Sequence, residues 1–177
     1  AGAISAKYLA KEKVHTVGVV GTGSQARYQM LALQQVRSFQ KLLVYGRKEE
    51  KAHSFAKSLG EELQVEVEVC TTPKKVVEQS EIVVTTTPSE EPIIQADWLH
   101  PGLHITAMGS DAEHKQEIDA NVFAKVDKVV CDVKSQCTKL GELHHAFDQG
   151  ILEESSNIIE LGELTAGKQA GRTDEAE

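Results

Sequence analysis

The chain has no apolar run near the ~20 residues that span a bilayer, and no charged-then-apolar signal peptide opens it. No membrane partner is expected, and the reading is a cytoplasmic protein. Basic residues are in the minority: 19 Lys and Arg face 27 Asp and Glu, a formal net charge of −8. That balance argues against a nucleic-acid partner, which needs a basic face. Cysteine is scarce, and Cys70, Cys131 and Cys137 lack C-x-x-C spacing. Neither a disulfide framework nor a zinc site is indicated. His144 and His145 are adjacent, so on a helix they point about 100° apart and cannot chelate together. There is no internal repeat and no low-complexity segment. An initiator methionine is also missing; the chain opens Ala1-Gly2-Ala3-Ile4 and closes Thr173-Asp174-Glu175-Ala176-Glu177. Both ends read as cut, and an excised domain is expected.

What remains is ordinary for one soluble domain: 177 residues, 40% hydrophobic and 26% charged. Strand and helix signals alternate along it. Val17–Val20, Leu42–Tyr45, Val65–Val69, Ile82–Val84, Leu103–Ala107 and Val129–Val133 read as strands. Val65–Val69 alternates with Glu66 and Glu68, as a half-buried strand near an edge does. Helices are expected over Gln25–Val36, Glu49–Leu59 with Gly60 as the stop, Lys74–Gln79 and Asn157–Leu164. The alternation implies an α/β, Rossmann-like doubly wound parallel sheet with helices on both faces. Residues 1–12 read as a connecting helix from an upstream domain, 13–166 as the dinucleotide-binding domain and 167–177 as a loose tail.

Thr16-Val17-Gly18-Val19-Val20-Gly21-Thr22-Gly23-Ser24-Gln25-Ala26 is the most telling stretch. A β-branched run, a G-x-G-x-x-A turn and a helix follow in the order that binds a dinucleotide. Gly21 lets the chain turn, Gly23 lets backbone approach a pyrophosphate, and Ala26 lets the helix pack close. Thr22, Ser24 and Gln25 complete the cradle, where unpaired helix N–H groups meet negative charge. A plain structural turn is the alternative.

In such a sheet the ligand lies beyond the carboxyl ends of the strands. After the second strand comes Gly46-Arg47-Lys48. No acid stands here to hold a ribose 2′-hydroxyl, whereas Arg47 and Lys48 can grip a 2′-phosphate. NADP(H) is favoured and NAD(H) remains possible; the alternative is a solvated start to the next helix. After the fourth strand, Thr85-Thr86-Thr87-Pro88 can line the nicotinamide and its ribose, or simply end a strand. After the fifth comes Met108-Gly109-Ser110-Asp111. Asp111 would face the crevice as a general acid or base, although Ser110-x-x-Glu113 also matches a capping box.

Together these residues resemble a known family. Gly21–Arg27, Val84–Ser89, Trp98–Gly102 and Met108–Asp111 are similar to the ornithine cyclodeaminase/mu-crystallin family. Lys115–Glu117, Glu160–Glu163, Ala166-Gly167 and Gly171-Arg172 extend the match across nearly the whole chain. Gly109–Lys115 and Gly141–His145 look most like its ectoine-utilisation cyclodeaminase-like branch.

The resemblance implies a two-domain homodimer whose central domain binds the nicotinamide cofactor. It implies hydride transfer between nicotinamide and the α-carbon of an amino acid or its imine, with Asp111 as the catalytic aspartate. Alternatives within the family are ornithine cyclodeaminase, which recycles NAD, and a mu-crystallin-like carrier of NADPH and small ligands. The family's substrate-binding arginines and a lysine would lie before residue 1, so this stretch alone is expected to be inactive. Two departures stand out. Glu113-His114 replaces a common Pro-Gly, which implies a reshaped substrate loop, and Gly46-Arg47 looks like reductive, NADPH-using members.

Overall fold

A computed structural model describes residues 1–177. Five strands form a wholly parallel sheet in the order β3-β2-β1-β4-β5: β1 Thr16–Val20, β2 Lys41–Tyr45, β3 Glu66–Val69, β4 Ile82–Thr85 and β5 His104–Ala107. α1 Gly2–Leu9 precedes them, and α2 Ser24–Gln34, α3 Glu49–Leu63 and α4 Pro73–Glu78 make the crossovers. Strand order reverses between β1 and β4, which pair Val17 with Ile82 through Val20 with Thr85.

Each strand supplies both faces because successive side chains alternate. Val17, Val19, Leu42, Val44, Ile82 and Val84 pack with Ala26, Met30 and Leu33 of α2 and Ala52, Ala56 and Leu59 of α3. Val20, Leu43 and Val83 pack on the other side with Val76 and Val77 of α4 and with Ile94 and Ile118. Near-continuous apolar runs are what a sheet covered on both faces requires, and the doubly wound reading holds.

Four local expectations are corrected. Gly60 does not stop α3; the helix continues to Leu63 and ends at Gln64, whose φ is 57°. A Cβ at Gly60 would lie 2.7 Å from Val67 Cγ2, so the glycine serves helix–sheet packing instead. Asn157–Leu164 is not one helix. Ile158–Glu160 is a strand, β7, and Glu160 then caps the short helix Leu161–Thr165 in a capping box with Glu163. The strand expected at Val129–Val133 is β6, Val129–Cys131; it leaves the main sheet and pairs in parallel with β7. Finally, the tail from 167 carries no helix or strand but is not loose at its end. Arg172 Nε donates to the Leu9 carbonyl at 2.7 Å, and the Gly102 N–H donates to that of Ala176 at 2.9 Å.

The edge at β3 is covered by charge. Glu68 pairs with Lys41 at 2.7 Å and with Lys75, whose ammonium groups hold its carboxyl down to about 2. No helix is long and apolar enough to cross a membrane.

Candidate functional site

The turn after β1 is built by contact with its neighbours. The Gly21 N–H donates to the Tyr45 carbonyl at 2.9 Å, and the Thr86 N–H donates to that of Val20 at 2.9 Å. Gly21 has φ +115°, and a Cβ there would come within 2.6 Å of Thr86 Oγ1. Both facts demand glycine. Gly23 is different. Its φ of −93° suits any residue, and beyond its two chain neighbours no residue comes within 4 Å of where its Cβ would stand. Nothing within the protein asks for glycine here, so the open space matches a close approach from outside.

No side chain caps the N-terminus of α2. Thr22 is half-buried, Ser24 and Gln25 are exposed, and Ala26 is fully buried beneath the helix. Uncapped N–H groups beside an open glycine can receive a pyrophosphate. The turn after β2 touches this one: a Cβ on Gly46 would lie 2.7 Å from Thr22 Cγ2. Arg47 and Lys48 follow, both exposed, and the nearest acids are Glu49 and Glu50 in the first turn of α3.

The loops after β4 and β5 run side by side, with the Met108 N–H donating to the Thr85 carbonyl at 2.9 Å. Thr85 is fully buried, and its hydroxyl donates to Glu117 Oε2 at 2.7 Å rather than facing the crevice. Thr86 and Thr87 are half-buried and Pro88 is exposed. Met108 and Gly109 are half-buried, and the Gly109 N–H donates to Glu117 Oε2 at 2.8 Å. The Thr87 N–H donates to the other oxygen of the same carboxylate.

Asp111 stands beyond, with its side chain 75% exposed and paired with Lys115. The hydrogen bond from Lys115 holds its carboxyl below the usual range, so it is a carboxylate at neutral pH. The alternative of a capping box fails, because no helix begins at Ser110; its hydroxyl donates to the Lys115 carbonyl instead.

Two acids and a histidine that the motif reading passed over hold this end together. Glu117 is 0% exposed. Glu142, at the start of α6 (Glu142–Asp148), accepts from the N–H groups of Glu117 at 2.8 Å and Ile118 at 3.0 Å. Burial, with the Glu117 charge adding to it, pushes the Glu142 carboxyl up to about 7. His145 Nε2 lies 2.8 Å from the Lys115 carbonyl, to which it donates. The hints in the sequence were the runs Lys115-Gln116-Glu117 and Gly141–His145, which carry no spacing rule of their own.

A cavity of about 770 Å³ lies on the far side of β5. Met108, Ser110 and Asp111 line it, together with Val129 and Arg172, but no residue of Gly21–Ala26 does. The turn after β1 is therefore not part of this cavity. No three His, Cys, Asp or Glu residues are grouped to hold a metal ion.

Comparison with known proteins matches residues 1–177 to the model of the ornithine cyclodeaminase/mu-crystallin family. An uncharacterised cyclodeaminase of Sinorhizobium fredii is 41% identical over 177 residues, which is 100% of this chain and 54% of that protein. The structure of Thermococcus litoralis Δ1-pyrroline-2-carboxylate reductase, in complex with NADH and L-proline, is similar with a TM-score of 0.94 at 29% identity, covering 99% of this chain and 54% of that one. An archaeal alanine dehydrogenase dimer with bound NAD is similar with a TM-score of 0.90 at 33% identity, covering 99% and 54%. The chain thus spans about half the length of the relatives it matches.

Proposed function

The chain belongs to the ornithine cyclodeaminase/mu-crystallin family, and from that premise we propose that it is the nicotinamide-dinucleotide-binding domain of an oxidoreductase acting on an α-amino acid or its imine. The observation that carries the reading is Gly23, open on the side where a pyrophosphate would approach and followed by an uncapped helix. Gly21, Thr22, Gly23, Ser24, Gln25 and Ala26 would hold the diphosphate on the backbone. Thr86, Thr87 and Pro88 on one side, and Met108 and Gly109 on the other, would flank the nicotinamide, with Thr85 bracing them from within. The bound cofactor supplies a hydride donor or acceptor. Asp111, ionised and exposed at the cavity mouth, would take a proton from the substrate nitrogen or from water and return it.

NADP(H) is the favoured form, because β2 ends in Gly46-Arg47-Lys48 with two free cations and no acid. The same feature speaks against the ornithine cyclodeaminase reading. A homodimeric, cytoplasmic whole protein belongs to this proposal, in keeping with the alanine dehydrogenase dimer.

Calorimetric titration of the chain with NADPH and NADH tests it, and NADPH is expected to bind more tightly. Arg47→Ala should cost NADPH about tenfold or more in affinity, the worth of a charge-assisted hydrogen bond, and leave NADH within about twofold. Equal losses for both would remove Arg47 from phosphate recognition, and no binding of either to the native chain would end the cofactor reading.

A further inference from the structure

We infer that Glu117 is a positioning residue whose buried carboxylate sets the spacing of the two loops that flank the nicotinamide; this rests on the cofactor reading above. All three of its side-chain partners lie on those loops or at the end of β4 that opens one of them: the Thr85 hydroxyl, the Thr87 N–H and the Gly109 N–H. No lysine, arginine or histidine pairs with it. Its own main chain is held as firmly. The Glu117 N–H donates to Glu142, and the Glu117 carbonyl accepts from Ile93 at 2.8 Å and Ile94 at 3.0 Å.

A carboxylate buried without a cation is costly, and oriented N–H and O–H donors only offset that cost. An apolar side chain would fill the same volume more cheaply, so the charge is accounted for by what its oxygens hold in place. Packing agrees. A Cβ on Gly109 would lie 2.6 Å from Glu117 Cδ and 2.1 Å from the Thr87 carbonyl oxygen. The carboxylate draws the two loops so close that only glycine fits between them. Glu117 has no exposed surface. It acts on the cofactor only through Thr86–Pro88 and Met108–Gly109.

Glu117→Gln tests this, since in either orientation the amide turns its –NH₂ toward a backbone N–H, of Thr87 or of Gly109. Binding of NADPH and NADH is measured by calorimetry, alongside 2′-phospho-ADP-ribose and ADP-ribose, the same molecules without nicotinamide. For whichever dinucleotide the native chain binds more tightly, the variant should lose about tenfold in affinity. Affinity for the matching ADP-ribose should stay within about twofold. If both ligands weaken equally, Glu117 merely supports the fold, and if neither weakens it positions nothing; either result overturns the inference. Should Glu117→Gln not fold, Thr85→Val removes one buried donor and keeps the charge. It should show the same selective loss, about threefold, and an unselective or absent loss overturns the inference equally. Failure of the native chain to bind any of the four ligands would instead sink the cofactor reading, and this inference with it. A native chain that binds the ADP-ribose forms as well as the dinucleotides would overturn the inference alone.

Discussion

The turn after β1 holds its shape with glycines and aliphatic packing, whereas the loops after β4 and β5 hold theirs with buried carboxylates. At the turn after β1, Gly21 lies against Thr86, Gly46 against Thr22, and Ala26 beneath α2. No titratable group takes part in those contacts. At the loops after β4 and β5, Glu117 gathers donors from residues 30 and 32 positions away, and Glu142 fixes Glu117 from 25 away. The first is held by shape, without a titratable side chain in those contacts. The second is a polar clamp, strong when every partner is present and costly when one is lost. A binding turn that must fit an invariant diphosphate can be built from local geometry. A crevice that must match a particular substrate is adjusted by loops, and those loops need ties across the chain.

The harshest way to break this comparison is Gly109→Ala. The added methyl would meet the Thr87 carbonyl at 2.1 Å and Thr87 N at 2.6 Å, and backbone atoms cannot swing aside as a side-chain end can. A loss of more than about 3 kcal/mol is expected in urea unfolding. A loss below about 1 kcal/mol would mean that the two loops part easily and that no clamp exists.

A gentler test uses protons. Glu142 has its carboxyl raised from 4.5 to about 7, chiefly by burial. Between those values the folded chain binds more protons than the unfolded one, so stability falls as pH rises. The contribution is whole below about 4.5 and gone above about 7, on the order of 3 kcal/mol at most. His104 works the other way. Burial pushes it down from 6.5 to about 3, so its effect raises stability with pH across that span. The comparison of native chain with Glu142→Gln cancels His104 and isolates the carboxyl. Measured at pH 5 and pH 8, the native chain should lose stability relative to the variant. A difference that does not change with pH would place the Glu142 titration outside this window.

The same division decides what could be read from the sequence. Thr16–Ala26 carries strand, turn and helix in one contiguous run, so local rules sufficed for the fold class and for the shape of this turn. Gly60 misled because a glycine near a helix end is as compatible with close packing, here on Val67, as with a stop. Ile158-Ile159 was absorbed into a helix because three strand residues have no period, and their partner β6 lies almost 30 residues earlier. Glu117 was invisible in its role for a related reason. Nothing in Lys115-Gln116-Glu117 says which side chain turns inward, and only the meeting of the β4 and β5 loops decides it. Asp111 was legible as a residue past a strand end, but its pairing with Lys115 follows from a turn that replaced the expected helix cap.

The mildest change to the fold is the sharpest probe of the site. Gly23→Ala places a methyl where no residue beyond its two chain neighbours comes within 4 Å, at a φ of −93° that alanine adopts freely. Two small terms then oppose each other. Alanine is a poorer N-cap than glycine, but it also restricts the unfolded chain, which favours folding by ~0.4–1 kcal/mol. Unfolding should therefore shift by no more than about 0.5 kcal/mol. Dinucleotide affinity should nevertheless fall by about tenfold or more, because the methyl occupies the approach path of the pyrophosphate. Stability and binding part company here only if the open space at Gly23 exists for a ligand. A variant that keeps both would put the diphosphate elsewhere, and a variant that loses both would mean that Gly23, like Gly109, is held by the protein itself.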